Sequence, residues 1–372
     1  MYLKQLRLNN FKNYKESDFV FSPKINCIVG DNGEGKTNVL DAIYYLSFCK
    51  SYFNPVDSQN ILHDADFFAI NGQYELVSES PDAVSCQLKR NQKKKFKRNQ
   101  KEYDRLADHI GLIPLVMISP YDRDLINDGS ELRRKYIDGV ISQYDKYYLD
   151  NLLNYNKALA QRNFLLKRFA ETGRYDASSL EIWTAKMVPL ANKIYDSRKK
   201  FIEEFIPIFQ KYFDFITEQH EQVSIEYASQ LHDQHIDELL EAALQKDRAV
   251  RYTTAGVHKD DLDFRISGYP LKKFGSQGQQ KSFVIAIKLA QFDYIREIKK
   301  SKPILLFDDI FDKLDENRVS QLIKLVSQNS FGQVFITDTQ PERIARVFDA
   351  VESEHKVFYI KSGNIEKESD GI

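Results

Sequence analysis

Alternating apolar and polar positions predict strands near the start of the chain and again near its end. This alternation covers residues 2–8 and 17–21, and a short, mainly apolar run over 25–29 predicts a buried strand. Residues 67–77 and 84–90 predict two more strands. Because only a short polar stretch joins them, we expect them to pair antiparallel. Later strands are expected over 224–227, 262–266, 333–337 and 357–360.

Between these groups of strands the pattern changes to helical spacing. Residues 130–245 are rich in Leu, Tyr, Lys, Gln and Glu, and apolar residues recur every three or four positions, as in Leu149, Leu152 and Leu153. The stretch lacks the long uninterrupted heptads of an extended coiled coil. It predicts an inserted all-helical arm.

A glycine-rich turn follows the buried strand 25–29 and leads into a predicted helix. It fits the phosphate-binding P-loop pattern with its full spacing. Glycines let successive N–H groups turn inward around phosphate oxygens, and the start of the helix adds positive potential. Lys36 is expected to reach the β- and γ-phosphates of ATP, and the Thr37 hydroxyl to ligate Mg²⁺. The nucleotide-binding residues predicted here are Gly30, Asp31, Asn32, Gly33, Glu34, Gly35, Lys36, Thr37 and Asn38.

An apolar run over 303–307 ends in two carboxylates, Asp308 and Asp309. A buried strand that delivers Asp at its tip is the Walker B arrangement, in which Asp308 holds Mg²⁺. The adjacent Asp309 is placed to orient or deprotonate the attacking water. Lys36, Asp308 and Asp309 are therefore the predicted catalytic residues.

A second helix start, before the apolar helix predicted over 283–298, also carries small and amide residues. Backbone N–H groups and a serine hydroxyl at such a position can bind an anion. The pattern is weak alone and gains meaning from the Walker B strand that follows it. The residues are Ser276, Gln277, Gly278 and Gln279, and we expect Asp315, which follows the Walker B strand, to contact the nucleotide as well.

Positive charge is concentrated in one segment of the chain, residues 89–101. The formal net charge of the 372 residues is −1, so nucleic-acid contacts must come from a local patch. Eight cations and no acid occupy residues 89–101, which predict a basic hairpin. Two interpretations stay open: a solvated edge protected by lysine, or a surface for the DNA backbone. On the second, the contacts are Lys93, Lys94, Lys95, Lys97 and Arg98.

Three cysteines without paired spacing, Cys27, Cys49 and Cys86, fit a reducing compartment. No window approaches 18 apolar residues, and the chain opens on a strand pattern rather than an apolar signal core. We expect a cytoplasmic protein with no membrane partner.

The combination of motifs resembles the ABC/SMC class of ATPases and, along almost the whole length, its RecF family of bacterial DNA replication and repair proteins. At Val257 and Lys259 the chain departs from the Gly-Pro-His-Arg-Asp usual in that family. The stretches that carry the resemblance are 8–14, 30–38, 119–120, 133–138, 155–166, 256–261, 276–281 and 303–315.

This resemblance implies an α/β fold: an ABC/SMC-like ATPase head with a mixed sheet and an antiparallel flap, plus the helical arm. It implies head segments over 1–118 and 251–372 with the arm at 119–250. It also implies ATP-dependent homodimers on double- and single-stranded DNA at gap junctions, weak DNA-stimulated hydrolysis, and action with RecR and RecO to help RecA form filaments.

Two other classes share some of these motifs. A transporter ATPase subunit has all three nucleotide motifs but needs a surface for a membrane partner. A P-loop kinase for a small molecule does not need the 276–281 signature.

Overall fold

The structure is a computed structural model that describes residues 1–75, 81–218, 221–310, 321, 325, 331–342 and 354–371. The chain divides into two compact units. The first unit comprises Met1–Asp122, Tyr212–Glu218 and Lys281–Ile372, and the second comprises Arg123–Lys211 and Gln219–Gln280. Residues 251–280 therefore group with the second unit. The domain bounds expected from the sequence stay a prediction.

The described strands, in chain order, are β1 Tyr2–Phe11, β2 Tyr14–Val20, β3 Ile25–Val29, β4 Phe67–Glu75, β5 Asp82–Lys89, β6 Lys95–Arg98, β7 Lys101–Glu102, β8 Leu115–Ile118, β9 Val223–Ala228, β10 Asp261–Ile266, β11 Tyr269–Pro270, β12 Ile304–Phe307, β13 Val334–Asp338, β14 His355–Lys361 and β15 Asn364–Gly371.

The described α-helices are α1 Lys36–Phe48, α2 Asp124–Asn127, α3 Ser130–Ser142, α4 Lys146–Thr172, α5 Ala177–Thr217, α6 Ile236–Ala242, α7 Leu244–Val250, α8 Leu271–Phe274 and α9 Gln277–Lys299. Among the described residues, no helix is both long enough and apolar enough to cross a membrane.

A mixed sheet in the first unit has the strand order β15-β14-β3-β13-β12-β8. All its neighbouring pairs are parallel except β14 with β15. Strands β3, β8, β12 and β13 are buried along their whole length, which explains why their sequences are apolar except for Asn26, Thr337 and Asp338. Because they are parallel, their carboxyl ends meet at one edge of the sheet.

A second, antiparallel sheet of the first unit has the order β2-β1-β4-β5-β6-β7. Its apolar side chains alternate with polar ones and share one core with α1 and the mixed sheet. The predicted antiparallel pairing of the two strands after α1 is confirmed by β4 and β5. Strand β4 ends at Glu75, and residues 76 and 77 of the predicted strand lie outside the described residues.

The second unit is mainly helical, as predicted, and it also contains the antiparallel sheet β11-β10-β9. Its interior contains buried ion pairs, such as Arg162 with Asp247 at 2.6 Å. Arg133, Arg134 and Lys135 on α3 form a basic cluster that partly faces inward, since Arg133 binds Asp261 at 2.6 Å. Polar residues at helical spacing do not reveal which of them find partners inside the unit.

Two strands of the mixed sheet were not predicted. Strand β8 has only four residues, too few for a periodic signal. Strand β15 has a largely polar sequence at the edge of the sheet, so it looks like a charged tail. Backbone pairing with β14, rather than apolar burial, defines it.

Candidate nucleotide-binding site

The glycine-rich loop runs from the end of β3 to the start of α1, as the P-loop pattern requires. Gly35 has φ 118°, and a Cβ there would lie 2.6 Å from the Asn13 side chain. A Cβ on Gly30 would collide with the carbonyl of Ile360. Only glycine fits both positions, because the backbone conformation and the nearby atoms of Asn13 and Ile360 leave no room for a side chain.

Two turns outside the loop hold its backbone in place. From the turn after β1, Asn13 donates to the Glu34 carbonyl at 2.9 Å and accepts from Asn38 Nδ2 at 2.7 Å. From the turn after β14, the Gly363 N–H donates to the same Glu34 carbonyl at 3.0 Å. The loop is therefore fixed from both sides.

Lys36 folds back over the loop and is only 4% exposed. Its Nζ donates to the carbonyls of Gly30 at 2.8 Å and Asp31 at 2.9 Å. The ammonium thus lies at the mouth of the loop, where a P-loop lysine meets the β- and γ-phosphates. Asp31, Asn32 and Gly33 are exposed at the rim.

The two predicted magnesium ligands meet across the sheet edge. The Thr37 hydroxyl, on the first turn of α1, donates to Asp308 Oδ1 at 2.8 Å. Asp308 follows β12 directly. Thr337 near the end of β13 donates to the same oxygen at 3.0 Å and accepts from the Asp309 N–H at 2.9 Å. Thr337 had no role in the sequence prediction, although the end of an adjacent parallel strand is a signal for one.

Burial sets the electrostatics of this corner. It raises the pKa of Asp308 from 3.8 to about 6, and the charge of Asp309 acts in the same direction. The Thr37 and Thr337 hydroxyls and Lys36 oppose the shift. Asp309 is half-buried and has φ 43°, a left-handed conformation that Asp tolerates better than most residues.

These residues fit ATP with Mg²⁺. Mg²⁺ is usually bound by one or two protein oxygens together with substrate phosphates and water, and Thr37 and Asp308 offer such a pair. A buried carboxylate whose charge is poorly compensated also favours a cation. Among the described residues, no three His, Cys, Asp or Glu side chains are grouped so that they could hold a metal ion by themselves.

The signature residues lie at the start of α9, in the second unit. Ser276 Oγ accepts from the Gln279 N–H at 3.2 Å, while Gln279 Oε1 accepts from the Ser276 N–H at 2.7 Å. This reciprocal pair is a capping box. Ser276 and Gln277 are exposed, and Gly278 is half-buried. Asp315 lies outside the described residues.

The predicted DNA-binding lysines divide into two groups. Lys94 Nζ points inward and binds Asp57 at 2.7 Å and the Cys49 carbonyl, at the end of α1, at 2.6 Å. Arg98 pairs with Asp82 at 2.6 Å. Lys93 and Lys95 are exposed and Lys97 is half-buried, and no ion pair with a described residue involves these three.

The fold and the site together define the head of an ABC/SMC-type ATPase. The family model "RecF/RecN/SMC N terminal domain" matches residues 2–364. The fold is also that of an Smc head domain from Pyrococcus furiosus, with a TM-score of 0.58 and 18% identity.

Within this class the chain belongs to the RecF family. It is 51% identical to the DNA replication and repair protein RecF of Flavobacterium johnsoniae, over 96% of this chain and 99% of that protein. It is 49% identical to RecF of Phocaeicola vulgatus, over 98% of each. The solved structure of the recombination mediator protein RecF with ATP in the RecFOR pathway matches with a TM-score of 0.88 at 29% identity, over 100% of this chain and 98% of that one.

The raised pKa of Asp308 predicts a pH-dependent effect of Asp308→Asn on the protein without nucleotide or metal. A carboxyl whose pKa is higher in the folded state stabilises the fold at low pH and loses that effect as pH rises through about 6. The variant lacks this loss. The free energy of unfolding of Asp308→Asn minus that of wild type should therefore be about 1–2 kcal/mol higher at pH 8 than at pH 5, which means that the variant is relatively more stable at pH 8. Urea unfolding in EDTA measures it, and an equal difference at both pH values would contradict the electrostatic account.

Proposed function

We propose that this chain is an ATP-dependent DNA-binding protein of recombinational gap repair and replication restart. The observation that carries the proposal is the meeting of Thr37 and Asp308, 2.8 Å apart, beside a P-loop whose lysine is in place. The RecF relatives named above, and the RecF structure that contains ATP, support ATP as the nucleotide.

Each residue of the site has a definite task in this proposal. The N–H groups of residues 30–38 and the Lys36 ammonium bind the phosphates. Thr37 and Asp308 hold Mg²⁺, which supplies charge stabilisation during hydrolysis. Asp309, displaced from regular strand geometry, orients the attacking water and accepts its proton. We expect slow hydrolysis, stimulated by DNA, that acts as a switch.

We further propose that ATP drives formation of a homodimer. Among the described residues, α1 and α9 are two candidate anion-binding helix starts, and of these two only α1 has a lysine and a hydroxyl suited to hold a nucleotide alone. A site shared by two protomers explains the second, because Ser276 and the Gly278 N–H of one copy can then complete the γ-phosphate shell of the other. Gln277, Gln279 and Asp315 are assigned to the same shared site.

For DNA we propose contacts by Lys93, Lys95 and Lys97. The internal pairing of Lys94 and Arg98 leaves them less suited to bind phosphates than the sequence pattern indicates. Lys95 and Lys97 pair in register with Gln87 and Ser85, on the open face of the antiparallel sheet. There Asn71, Gln73 and Lys97 line one groove. Cations and amides of this kind suit the backbone of double- or single-stranded DNA rather than a base sequence.

The partners RecR and RecO, and through them RecA, are proposed from family membership. The solved RecF structures that this chain resembles are those of a recombination mediator protein of the RecFOR pathway. A protein that acts on bacterial DNA works in the cytoplasm, and three buried cysteines without disulfides fit that compartment.

The shared site predicts that Ser276→Arg blocks the ATP-dependent dimer while ATP binding to the monomer stays nearly intact. A bulky cation fills the space that the partner's γ-phosphate needs, whereas the P-loop is untouched. Sedimentation with ATP and Mg²⁺, with ADP as the comparison, should show a dimer only for wild type with ATP.

Ser178→Arg is the matched control, since it adds the same side chain at an exposed helical position of the second unit. It should dimerise like wild type. Three results would overturn the shared site: dimerisation of Ser276→Arg on ATP, loss of its ATP binding outright, or a wild-type dimer that ignores ATP.

Replacing Lys93, Lys95 and Lys97 together by Ala should weaken DNA binding at low salt. Each lysine that no longer binds a phosphate should reduce the slope of log affinity against log salt by about 0.9. Replacing Lys146, Lys157 and Lys199, which are exposed in the second unit, removes the same charge elsewhere. Fluorescence anisotropy of labelled DNA over a salt series compares the two. Equal slopes would show that the hairpin is only a solvated edge.

A further inference from the structure

A buried ion pair of the first unit has no part in the roles assigned so far. Lys288 Nζ of α9 lies 2.6 Å from Asp122 Oδ1, and the two side chains are 7% and 4% exposed. Such a pair gives little net stability, because removing both charges from water costs about as much as their attraction returns. What the pair does fix is the position of the groups that bind its two members.

Asp122 uses both carboxylate oxygens. Oδ2 accepts from the Ser119 N–H at 2.7 Å, and Oδ1 accepts from the Tyr52 hydroxyl as well as from Lys288. The Lys288 ammonium also lies 5.7 Å from the centre of the Tyr52 ring. The charge of Lys288 thus balances that of Asp122, and Asp122 in turn holds the Ser119 turn and the Tyr52 hydroxyl in place.

The turn leads directly to the Walker B strand. Ser119 follows Ile118, the last residue of β8, and the Ile118 carbonyl accepts from the Asp308 N–H at 2.8 Å. The hydrogen bond from Ser119 to Asp122 therefore fixes the chain one residue beyond the carbonyl that holds Asp308.

The tyrosine leads to the helix of the P-loop. The Tyr52 N–H donates to Asp41 Oδ1 at 2.7 Å, and the Ser51 hydroxyl donates to Asp41 Oδ2 at 2.6 Å. Asp41 is fully buried on α1, one helical turn after Thr37. Burial and Asp122 raise the pKa of Tyr52, and the charge of Asp308 adds to the effect, so the phenol lies within electrostatic reach of the metal ligand.

The pair also joins two separate segments of the first unit. The segment Met1–Asp122 ends at the aspartate, and the segment that contains Lys288 begins at Lys281. Lys288 and Asp122 therefore connect the end of the first segment of this unit to the start of its last segment.

We propose that Lys288 is a positioning residue of the ATP site. By pairing with Asp122 it holds the end of β8 and Tyr52, and so keeps Asp308 and Thr37 at the spacing that binding of Mg²⁺ with ATP needs. The inference rests on the proposed function. It assigns Lys288 no contact with nucleotide or metal.

The test is the Mg²⁺ requirement of Lys288→Met. Binding of a fluorescent ATP analogue is titrated at increasing Mg²⁺, and once in EDTA, with thermal unfolding measured alongside. The Mg²⁺ concentration for half-maximal binding should rise about 10- to 100-fold, as for other groups that support metal ligands, while affinity in EDTA stays that of wild type. Lys288→Arg keeps the charge and should recover most of the Mg²⁺ response.

Lys94→Met is the matched control. It breaks a half-buried Lys–Asp pair of the same unit, 2.7 Å long, at the opposite end of α1. It should lower thermal stability without changing the Mg²⁺ requirement. If Lys288→Met does not fold, Asp122→Asn, which keeps the side-chain shape and removes the charge, should show the same rise.

A Lys288→Met protein that is less stable but has the wild-type Mg²⁺ requirement would overturn the inference and leave the proposed function standing. An equal rise in Lys94→Met would overturn it too. If wild type binds no ATP analogue with or without Mg²⁺, the proposed function fails, and the inference fails with it.

Discussion

The hydrogen bond between the Thr37 hydroxyl and the Asp308 carboxylate is the contact on which the site depends. It exists because β3 and β12 are parallel to β13, so that the loop after β3 and the carboxylate after β12 reach the same edge of the sheet. The residues are 271 positions apart in the chain, and only the sheet brings them together. The cost is a carboxylate held in a buried place that favours its protonated form.

Rigid support surrounds that contact. The turn at Asn13 and the turn at Gly363 fix the same Glu34 carbonyl from different strands, and Thr337 binds both Asp308 and the backbone of Asp309. A site whose ligands are held by hydrogen bonds from regular elements keeps its geometry before the ligand arrives. This geometry explains why the antiparallel sheet, to which no contact with ATP is assigned, still matters for the nucleotide.

Much of this arrangement could be predicted from the sequence. The P-loop, the Asp308 strand and the antiparallel flap depend on local patterns: glycine spacing, an apolar run, alternation. Asn13 could not be assigned a role, because its partners Glu34 and Asn38 lie in a different turn, more than 20 positions along the chain. Thr337 did have a signal in its place near the end of a parallel strand, but its apolar surroundings do not mark the hydroxyl as a partner of Asp308. The inward orientation of Lys94 was hidden in a run of like charges, since its partner Asp57 lies outside that run. Strand β15 was missed because pairing rather than burial defines it.

The claim that the P-loop holds ATP through Lys36 is tested most directly by equilibrium titration of a fluorescent ATP analogue against wild type and Lys36→Ala, with Mg²⁺ present. Circular dichroism of both proteins shows whether the fold is kept. We predict saturable binding of one nucleotide per chain for wild type and loss of tight binding for the folded variant, because the charge on the β- and γ-phosphates is gone. Equal affinity in the two proteins would contradict the claim.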